Sequence, residues 1–196
     1  TYTLTGFGGA EDATVAAGVA GANGSVARVV KSATAELWAG TTVSTGANQS
    51  IATIPFTATA RSMTLRVRAP AAGVVVRLKV EDAADPTRSV ETEATTTVAN
   101  AWETLTFNFA NQATGTAALN LAFTYNKASV FFAFGTTGAA GGAGTYYFDE
   151  LNFVAGGGGG GGGGTVAGLP IDFDTAGVTY ALTGFGGAED ATVVAG

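Results

Sequence analysis

An 18-residue block occurs at both ends of this 196-residue sequence. TYTLTGFGGAEDATVAAG fills positions 1–18 and TYALTGFGGAEDATVVAG fills positions 179–196, with 16 of the 18 positions identical at an offset of 178 residues. Solenoid and propeller repeats have periods of about 20–50 residues, whereas a domain has about 100–200. The offset therefore predicts a whole domain copied in tandem, and the chain is expected to be a window on a longer polypeptide.

The residue types that are absent exclude several kinds of function. The sequence has no cysteine and no histidine, which removes disulfides, thiolate or histidine metal sites, and catalysis by Ser-His-Asp or Cys-His groups. A net charge of −6 offers no basic face for nucleic acid, and no apolar run approaches the roughly 20 residues of a membrane span. The abundance of glycine and the scarcity of charge are similar to those of secreted bacterial repeat proteins, so an extracellular or cell-surface location is expected.

Alternating apolar and polar residues run through most of the chain, and no segment carries a convincing helical period. Met63 and Leu65, for example, face one way while Arg66 faces the other. The strands predicted in this way are 25–31, 37–43, 51–56, 62–68, 74–81, 89–98, 102–109, 128–134, 145–154 and 171–174. About ten short strands predict an all-β fold, a β-sandwich of the jelly-roll type, repeated with the 178-residue period.

The segment between the strands at 74–81 and 89–98 is predicted to be a hairpin turn. It is DAADPT, residues 82–87, and contains a proline and two aspartates, which favour turns. Pairing of the two strands places Arg77 near Glu91 on a solvent-exposed face. An exposed ion pair of this kind contributes only about a few tenths of a kcal/mol.

Nine consecutive glycines, residues 156–164, predict a linker, because they have no side chains to bury and a large backbone entropy. The predicted division of the chain has three parts. Residues 1–154 form a sandwich that lacks its own first strand, residues 155–168 form the poly-glycine linker, and residues 169–196 form the first strands of the next repeat.

The candidate first strand of the next repeat is IDFD, and its residues Ile171, Asp172, Phe173 and Asp174 are predicted to join the repeats. A sandwich without this strand has an open edge that invites pairing. Two arrangements remain open: the strand folds into the copy that follows it in a continuous chain, or it completes the sandwich of a separate subunit. In both, the strand is expected to pair with a neighbouring copy and not with residues 25–154 of its own.

Six sequence blocks follow one another over almost the whole 178-residue period. They are FGGAEDATVVAG, SVARVVKSATAELWAGTT, TLRVRAPAAGVVVRLKVEDA, ETEATTTVANAWETLTFNF, ASVFFAFGTTG and TYYFDELNF. Their order resembles the carbohydrate-binding-module-like, or galactose-binding-like, jelly-roll repeats of bacterial secreted and surface proteins. The resemblance implies a galactose-binding-like β-sandwich, often with a structural calcium ion and often beside adhesive or polysaccharide-active partners.

Asp149 is the candidate metal ligand. Strict alternation places it in phase with Leu151 and Phe153, so it points inward if that face is the core, and a buried carboxylate needs a cation or several donors. In the modules that the sequence resembles, an aspartate of the last strand and an acidic residue of the first strand bind calcium, which implies Asp149 and Asp174 here, with carbonyls from around residues 32–36. The alternative is that Asp149 caps a turn or pairs with a lysine or arginine.

Four aromatic residues are candidates for stacking on sugar rings: Trp38, Trp102, Tyr125 and Tyr146. The alternative for each is packing in the core or at its edge, since large aromatic side chains are a major source of apolar burial. The neighbouring carboxylates Glu11 and Asp12 do not form a glycosidase pair, because adjacent strand residues point to opposite faces.

The sequence therefore predicts a protein that is not an enzyme. The favoured hypothesis is a structural or adhesive repeat of an extracellular bacterial filament or giant surface protein, whose copies join head to tail, with neighbouring copies as its partners. The alternative hypothesis is an array of carbohydrate-binding modules in a polysaccharide-active secreted protein, with polysaccharide as the partner.

Overall fold

The computed structural model describes residues 3–10, 13–155, 168–174 and 181–182. These residues form eleven strands in two sheets. The strands are β1 (Thr3–Phe7), β2 (Thr14–Ala16), β3 (Val26–Lys31), β4 (Gly40–Ser44), β5 (Ser62–Arg68), β6 (Val75–Asp82), β7 (Asp85–Thr95), β8 (Trp102–Asn108), β9 (Lys127–Phe132), β10 (Gly144–Val154) and β11 (Ala181–Leu182).

The two sheets pack face to face, which confirms the predicted all-β sandwich, while its tandem repetition stays a prediction. One sheet has the order β11-β1-β4-β9-β6-β7 and the other has the order β2-β3-β10-β5-β8. All neighbouring strands are antiparallel except β1 and β11. Within the described residues the helical segments are a 3₁₀ turn at Ala47–Gln49 and a π-helical turn at Gly138–Gly142, and no helix is long and apolar enough to cross a membrane.

The core lies between the two sheets and follows the alternation of the sequence. In β5, Met63, Leu65 and Val67 are fully buried while the residues between them are half-buried on the outer face. In β6, Val76 and Leu78 point into the same core. Burial of each such side chain contributes about 1.5–3 kcal/mol, so the period of two is sufficient to define which face of each strand is inside.

Several predicted elements differ from the observed ones; the strand predicted at 37–43, for example, begins only at Gly40. The turn between β6 and β7 is shorter than 82–87, because Asp82 and Asp85 are themselves paired and the Asp82 carboxylate accepts the Ala84 N–H at 2.9 Å. The predicted strand at 51–56 is a loop. Its Ile51 and Ile54 are buried, and their N–H groups donate to single carbonyls of residues 126 and 125 instead of joining a ladder.

Residues 169–174 close the sandwich of their own chain. Ile171 and Leu151 exchange two backbone hydrogen bonds of 2.9 and 3.1 Å, and Ile171 is fully buried. Phe173 is also buried and packs its ring edge against Phe148, with centroids 5.7 Å apart. The prediction that this segment does not pair with residues 25–154 of its own copy is therefore wrong for this chain.

The physical reason is the pairing of β10. Its partner β3 follows it only as far as Phe148, so the backbone of Leu151 has no strand on that side. The segment after the glycine run fills this open edge and brings three apolar side chains into the core, those of Leu169, Ile171 and Phe173. The nine glycines themselves lie outside the described residues.

Candidate functional site

The outer face of the six-stranded sheet forms an open cleft of about 480 Å³. It lies on the opposite side of the sheet from the core, because alternate residues of β6 and β9 point away from the sandwich. Arg77 pairs with Phe131, and Lys79 with Ser129, so charged and aromatic residues stand side by side on neighbouring strands.

Four aromatic rings form one wall of the cleft. Trp38 stacks on Phe7 with centroids 6.1 Å apart and an angle of 20°, and Phe7 meets Phe131 edge to face at 5.5 Å. Phe131 in turn meets Phe134 at 5.7 Å. The Trp38 side chain is 47 % exposed, so the wall presents a large apolar ring to solvent.

Paired charges form the rest of the cleft. Arg77 donates to Glu91 at 2.8 Å and to Glu93 at 2.8 Å, and its guanidinium lies 3.5 Å from the centroid of a Phe134 ring. On the neighbouring part of the floor, two lysines, Lys79 and Lys127, contact the Glu81 carboxylate at 2.6 and 3.1 Å. With Glu93, which pairs with Arg77 but does not line the cleft, three cations balance three carboxylates. The cleft offers donors and acceptors in fixed positions without an excess of either charge.

A buried lysine that the sequence reading missed supports one end of this cleft. Lys31 is buried, and its ammonium donates to three backbone carbonyls, those of Phe132 at 3.2 Å, Ala133 at 3.0 Å and Thr136 at 2.7 Å. Desolvation lowers the pKa of Lys31. The three carbonyls belong to the turn that carries Phe134, so the lysine holds the aromatic wall in place.

The structure places one of the four predicted stacking residues, Trp38, in the cleft. Trp102 lies on the opposite sheet, where it packs against Arg66 and Tyr147 and donates its Nε1–H to the Ala20 carbonyl at 3.1 Å.

The other two predicted stacking residues, Tyr125 and Tyr146, are buried in the core. Tyr125 accepts a hydrogen bond from the Asn120 N–H at 3.1 Å, and Tyr146 donates to the Gly142 carbonyl at 3.0 Å. For these two residues the core-packing alternative describes the structure.

Asp149 is buried, yet its phase in β10 is that of Arg66 and not that of Leu151, because β10 contains a bulge. The register of β10 on β5 shifts between Asp149 and Asn152, and Glu150 has a positive φ of 50°. The side chain that points inward is that of Phe148 before the bulge and that of Leu151 after it, three positions later instead of two. Asp149 pairs with Arg66, whose Nη1 is 3.8 Å from its carboxylate, and it is only 1 % exposed. The carboxylate is buried, as the sequence predicts, but the bulge interrupts the strict alternation with Leu151 and Phe153.

The two predicted calcium ligands nevertheless come close enough to interact. Burial raises the pKa of Asp149 to about 7, and the negative charges of Glu150 and Asp174 add to this effect. Each aspartate already accepts a backbone N–H: that of Glu150 for Asp149 at 2.8 Å, and that of Ser25 for Asp174 at 2.7 Å.

The rest of a calcium shell is not provided by the predicted loop. Lys31, at the end of β3 that leads into residues 32–36, pairs with Gly144, which is five residues or roughly 17 Å along β10 from Asp149. Those carbonyls are therefore not ligands. Among the described residues no group of three acidic side chains stands ready to hold a metal, whereas calcium takes about six to eight oxygens. Calcium at Asp149 and Asp174 stays a prediction, and the donor set fits it poorly.

We expect the Asp149 carboxyl to make stability depend on pH. Its pKa of about 7 in the folded state lies above its ordinary value of 3.8, so folding favours the protonated form. The stabilisation is complete below about pH 4 and is lost as pH rises to about 7. Denaturant unfolding should show a decrease of about 2–4 kcal/mol over this range, and Asp149→Asn should remove most of it.

A matched control and a chelator separate the possible causes. Glu150→Gln, at a half-buried neighbouring position, should leave most of the pH dependence in place. If calcium binds here, a chelator should lower the melting temperature at pH 8. If the site is only a cluster of charges, a chelator should leave the melting temperature unchanged. Parallel pH profiles for the wild type and Asp149→Asn would contradict the role given to this carboxyl.

No protein-family model matches the sequence, and no curated protein matches it. Solved structures do match. The fold is similar to that of carbohydrate-binding modules. One match comes from a study of the promiscuous specificity of carbohydrate-binding modules of the β-sandwich superfamily, with 12 % identity and a TM-score of 0.44 over 79 % of this chain. The chain spans 57 % of that protein.

A second match is the family 11 carbohydrate-binding module from Clostridium thermocellum, solved in complex with a β-1,3-1,4-mixed-linked tetrasaccharide. It has 12 % identity and a TM-score of 0.46, and the match covers 76 % of this chain and 86 % of that one. At this identity the likeness concerns the β-sandwich fold alone, which the two sheets described above already establish.

Proposed function

We propose that the cleft on the six-stranded sheet binds a carbohydrate chain. The observation that carries the proposal is the exposed Trp38 ring, which stands beside a floor of fixed, mutually neutralised charges. A sugar has an apolar ring face and a rim of hydroxyl groups. The aromatic wall provides a stacking surface for the first, and the ion-paired side chains provide donors and acceptors for the second.

The charge balance favours a neutral sugar over an acidic one. A uronate or sulfate group would have to compete with carboxylates for the guanidinium of Arg77 and for the ammonium groups of the cleft. Hydroxyl groups impose no such competition, because they accept hydrogen bonds from the cations and donate them to the carboxylates.

The proposed role is binding and not catalysis. Glycoside hydrolysis needs one carboxylic acid that is free to protonate the leaving oxygen and a second carboxylate across the bond. The carboxylates that line this cleft, Glu81 and Glu91, are each engaged by cationic side chains at 3.1 Å or less. They serve as acceptors within the cleft.

Trp38→Ala should weaken the binding of a neutral soluble polysaccharide about 5- to 30-fold, because it removes roughly 1–2 kcal/mol of stacking and apolar contact. A mixed-linked β-1,3-1,4-glucan is a suitable first probe within a panel of neutral and acidic glycans, and titration calorimetry measures the affinity. Trp102→Ala is the matched control on the opposite sheet and should leave the affinity unchanged. Equal losses for the two variants, or no binding to any neutral glycan, would reject the proposal.

We also propose that copies of this domain are arranged head to tail in an extracellular structural or adhesive filament or surface protein. The observation in its favour is that the chain carries the 18-residue block twice. The described part of the first block forms β1 and β2 of the sandwich, so the second block is an additional copy of these strands. Electron microscopy of the native material tests the arrangement directly, since the proposal requires filaments or extended arrays. A population of single, unassociated domains at high protein concentration would reject it.

A further inference from the structure

The N-terminal block connects the two sheets of the sandwich. Its β1 pairs with β4 along the whole strand, from Thr3 opposite Ser44 to Phe7 opposite Gly40. Its β2 pairs with β3 in the other sheet. The block therefore occupies two positions, one beside β4 and one beside β3, which we call the block site.

The C-terminal block repeats every described residue that the block site buries. The buried residues of the first block are Leu4, Thr5, Gly6, Ala10, Ala13 and Val15. Their counterparts at an offset of 178 are Leu182, Thr183, Gly184, Ala188, Ala191 and Val193, all identical.

The two differences between the blocks are Thr3 against Ala181 and Ala16 against Val194. Ala16 ends β2 and is half-buried, so that change lies outside the buried set, and Thr3 is the first residue of β1. The second block therefore carries the same residues as the first at every described buried position of the block site.

β11 shows where the C-terminal block emerges from the sandwich. Ala181 and Leu182 lie parallel to Thr3 and Leu4, each opposite its own counterpart. In β1, one edge pairs with β4 and the other with β11. Because β11 is parallel to β1 and in the same register, the edge of β11 that would pair with a β4 strand is the edge that already pairs with β1. The C-terminal block must leave this edge before it can act as a β1 strand.

We propose that residues 179–196 of one copy occupy the block site of a second copy of this chain, in place of that copy's residues 1–18. This inference rests on the head-to-tail arrangement proposed above and names the joint. The core contacts are the same whichever block fills the site, so the exchange changes the stability of each sandwich little and is governed by concentration. Residues 169–174 stay in their own sandwich and fix the point from which the donor block departs.

The geometry of this exchange produces an open assembly. Each copy donates its C-terminal block and accepts at its N-terminal block site, so the two surfaces in contact are different. Contacts of this heterologous kind continue from copy to copy unless a rotation closes them into a ring. The joint therefore accounts for a filament without requiring any surface beyond the sandwich itself.

The absence of cysteine permits a direct test. Thr5 and Thr42 are paired across β1 and β4, and Thr183 is the counterpart of Thr5. In antiparallel sheets paired Cα atoms lie about 4.5–5.5 Å apart, within reach of a disulfide. The variant Thr42→Cys/Thr183→Cys forms a disulfide only when a C-terminal block occupies a block site. The control Thr5→Cys/Thr42→Cys forms one when the N-terminal block does.

The full-length variants are refolded from denaturant at high concentration, where the two blocks compete on equal terms, and are then oxidised. We expect Thr42→Cys/Thr183→Cys to give a ladder of linked dimers and higher species on a non-reducing gel, and Thr5→Cys/Thr42→Cys to give linked monomers. Adding Leu4→Asp, which disables the first block, should strengthen the ladder, and adding Leu182→Asp should abolish it.

Three results would overturn the inference: no disulfide in the 42/183 variant while the 5/42 control forms one, a 42/183 disulfide confined to monomers, or a ladder that survives Leu182→Asp. Filaments without the 42/183 ladder would leave the head-to-tail arrangement standing and reject only this joint. Absence of filaments would reject the arrangement itself.

Discussion

Phe173→Ala is expected to lower the free energy of unfolding by about 3–5 kcal/mol, the usual cost of truncating a buried phenylalanine. Phe173 is buried and packs against Phe148, although about 20 residues separate it from the end of β10 at Val154. The loss has two parts: the apolar surface returned to water and the cavity left beside Phe148. Urea denaturation followed by tryptophan fluorescence measures it.

Phe123→Ala is the matched control, since this ring is 38 % exposed and lies against Arg88. It should change the free energy of unfolding by less than about 1 kcal/mol. The Phe173→Ala effect should also be independent of protein concentration, because the segment closes its own sandwich. A loss no larger than that of the control, or a strong dependence on concentration, would show that residues 169–174 belong to another copy.

Lys31→Met is expected to lower the free energy of unfolding by about 3 kcal/mol or more. Hydrogen bonds to a charged donor contribute about 1.5–3 kcal/mol each, and removal of the donor leaves three carbonyls without their partner. Methionine fills a similar volume but donates nothing. Because the carbonyls belong to the turn that carries Phe134, the substitution should also weaken glycan binding in the cleft.

Lys79→Met is the control for this substitution. Lys79 contacts Glu81, which keeps Lys127 as a second partner, so the change should cost less than about 1 kcal/mol. Thermal and denaturant unfolding of the two variants give the comparison. Equal stability of Lys31→Met and Lys79→Met would mean that the buried ammonium contributes no net stabilisation.

The sequence by itself was sufficient for the fold class, because apolar burial acts on each strand separately. The alternation in 62–68 defines the inner face of β5 without knowledge of its neighbours, and the same holds for β6. It also predicted the ion pair of Arg77 with Glu91, a cross-strand contact within one hairpin. Trp38 was among its candidates, although the other residues of the cleft come from β1, β4, β6, β7 and β9 and from loops.

Only the tertiary structure decided how distant segments meet. The bulge at Glu150 reverses the phase of β10, and no local pattern in TYYFDELNFV announces it. Lys31 lies two residues after the buried Val29, so the alternation of β3 places it on the inner face, and the sequence contains that signal. Its carbonyl partners, however, are about 100 residues away along the chain. Residues 169–174 return to β10 because an unpaired strand edge and an apolar groove are open there. Alternation in the sequence indicates which face of a strand is buried. Which segment completes a sheet depends instead on which strand edge is left unpaired once the other strands have formed.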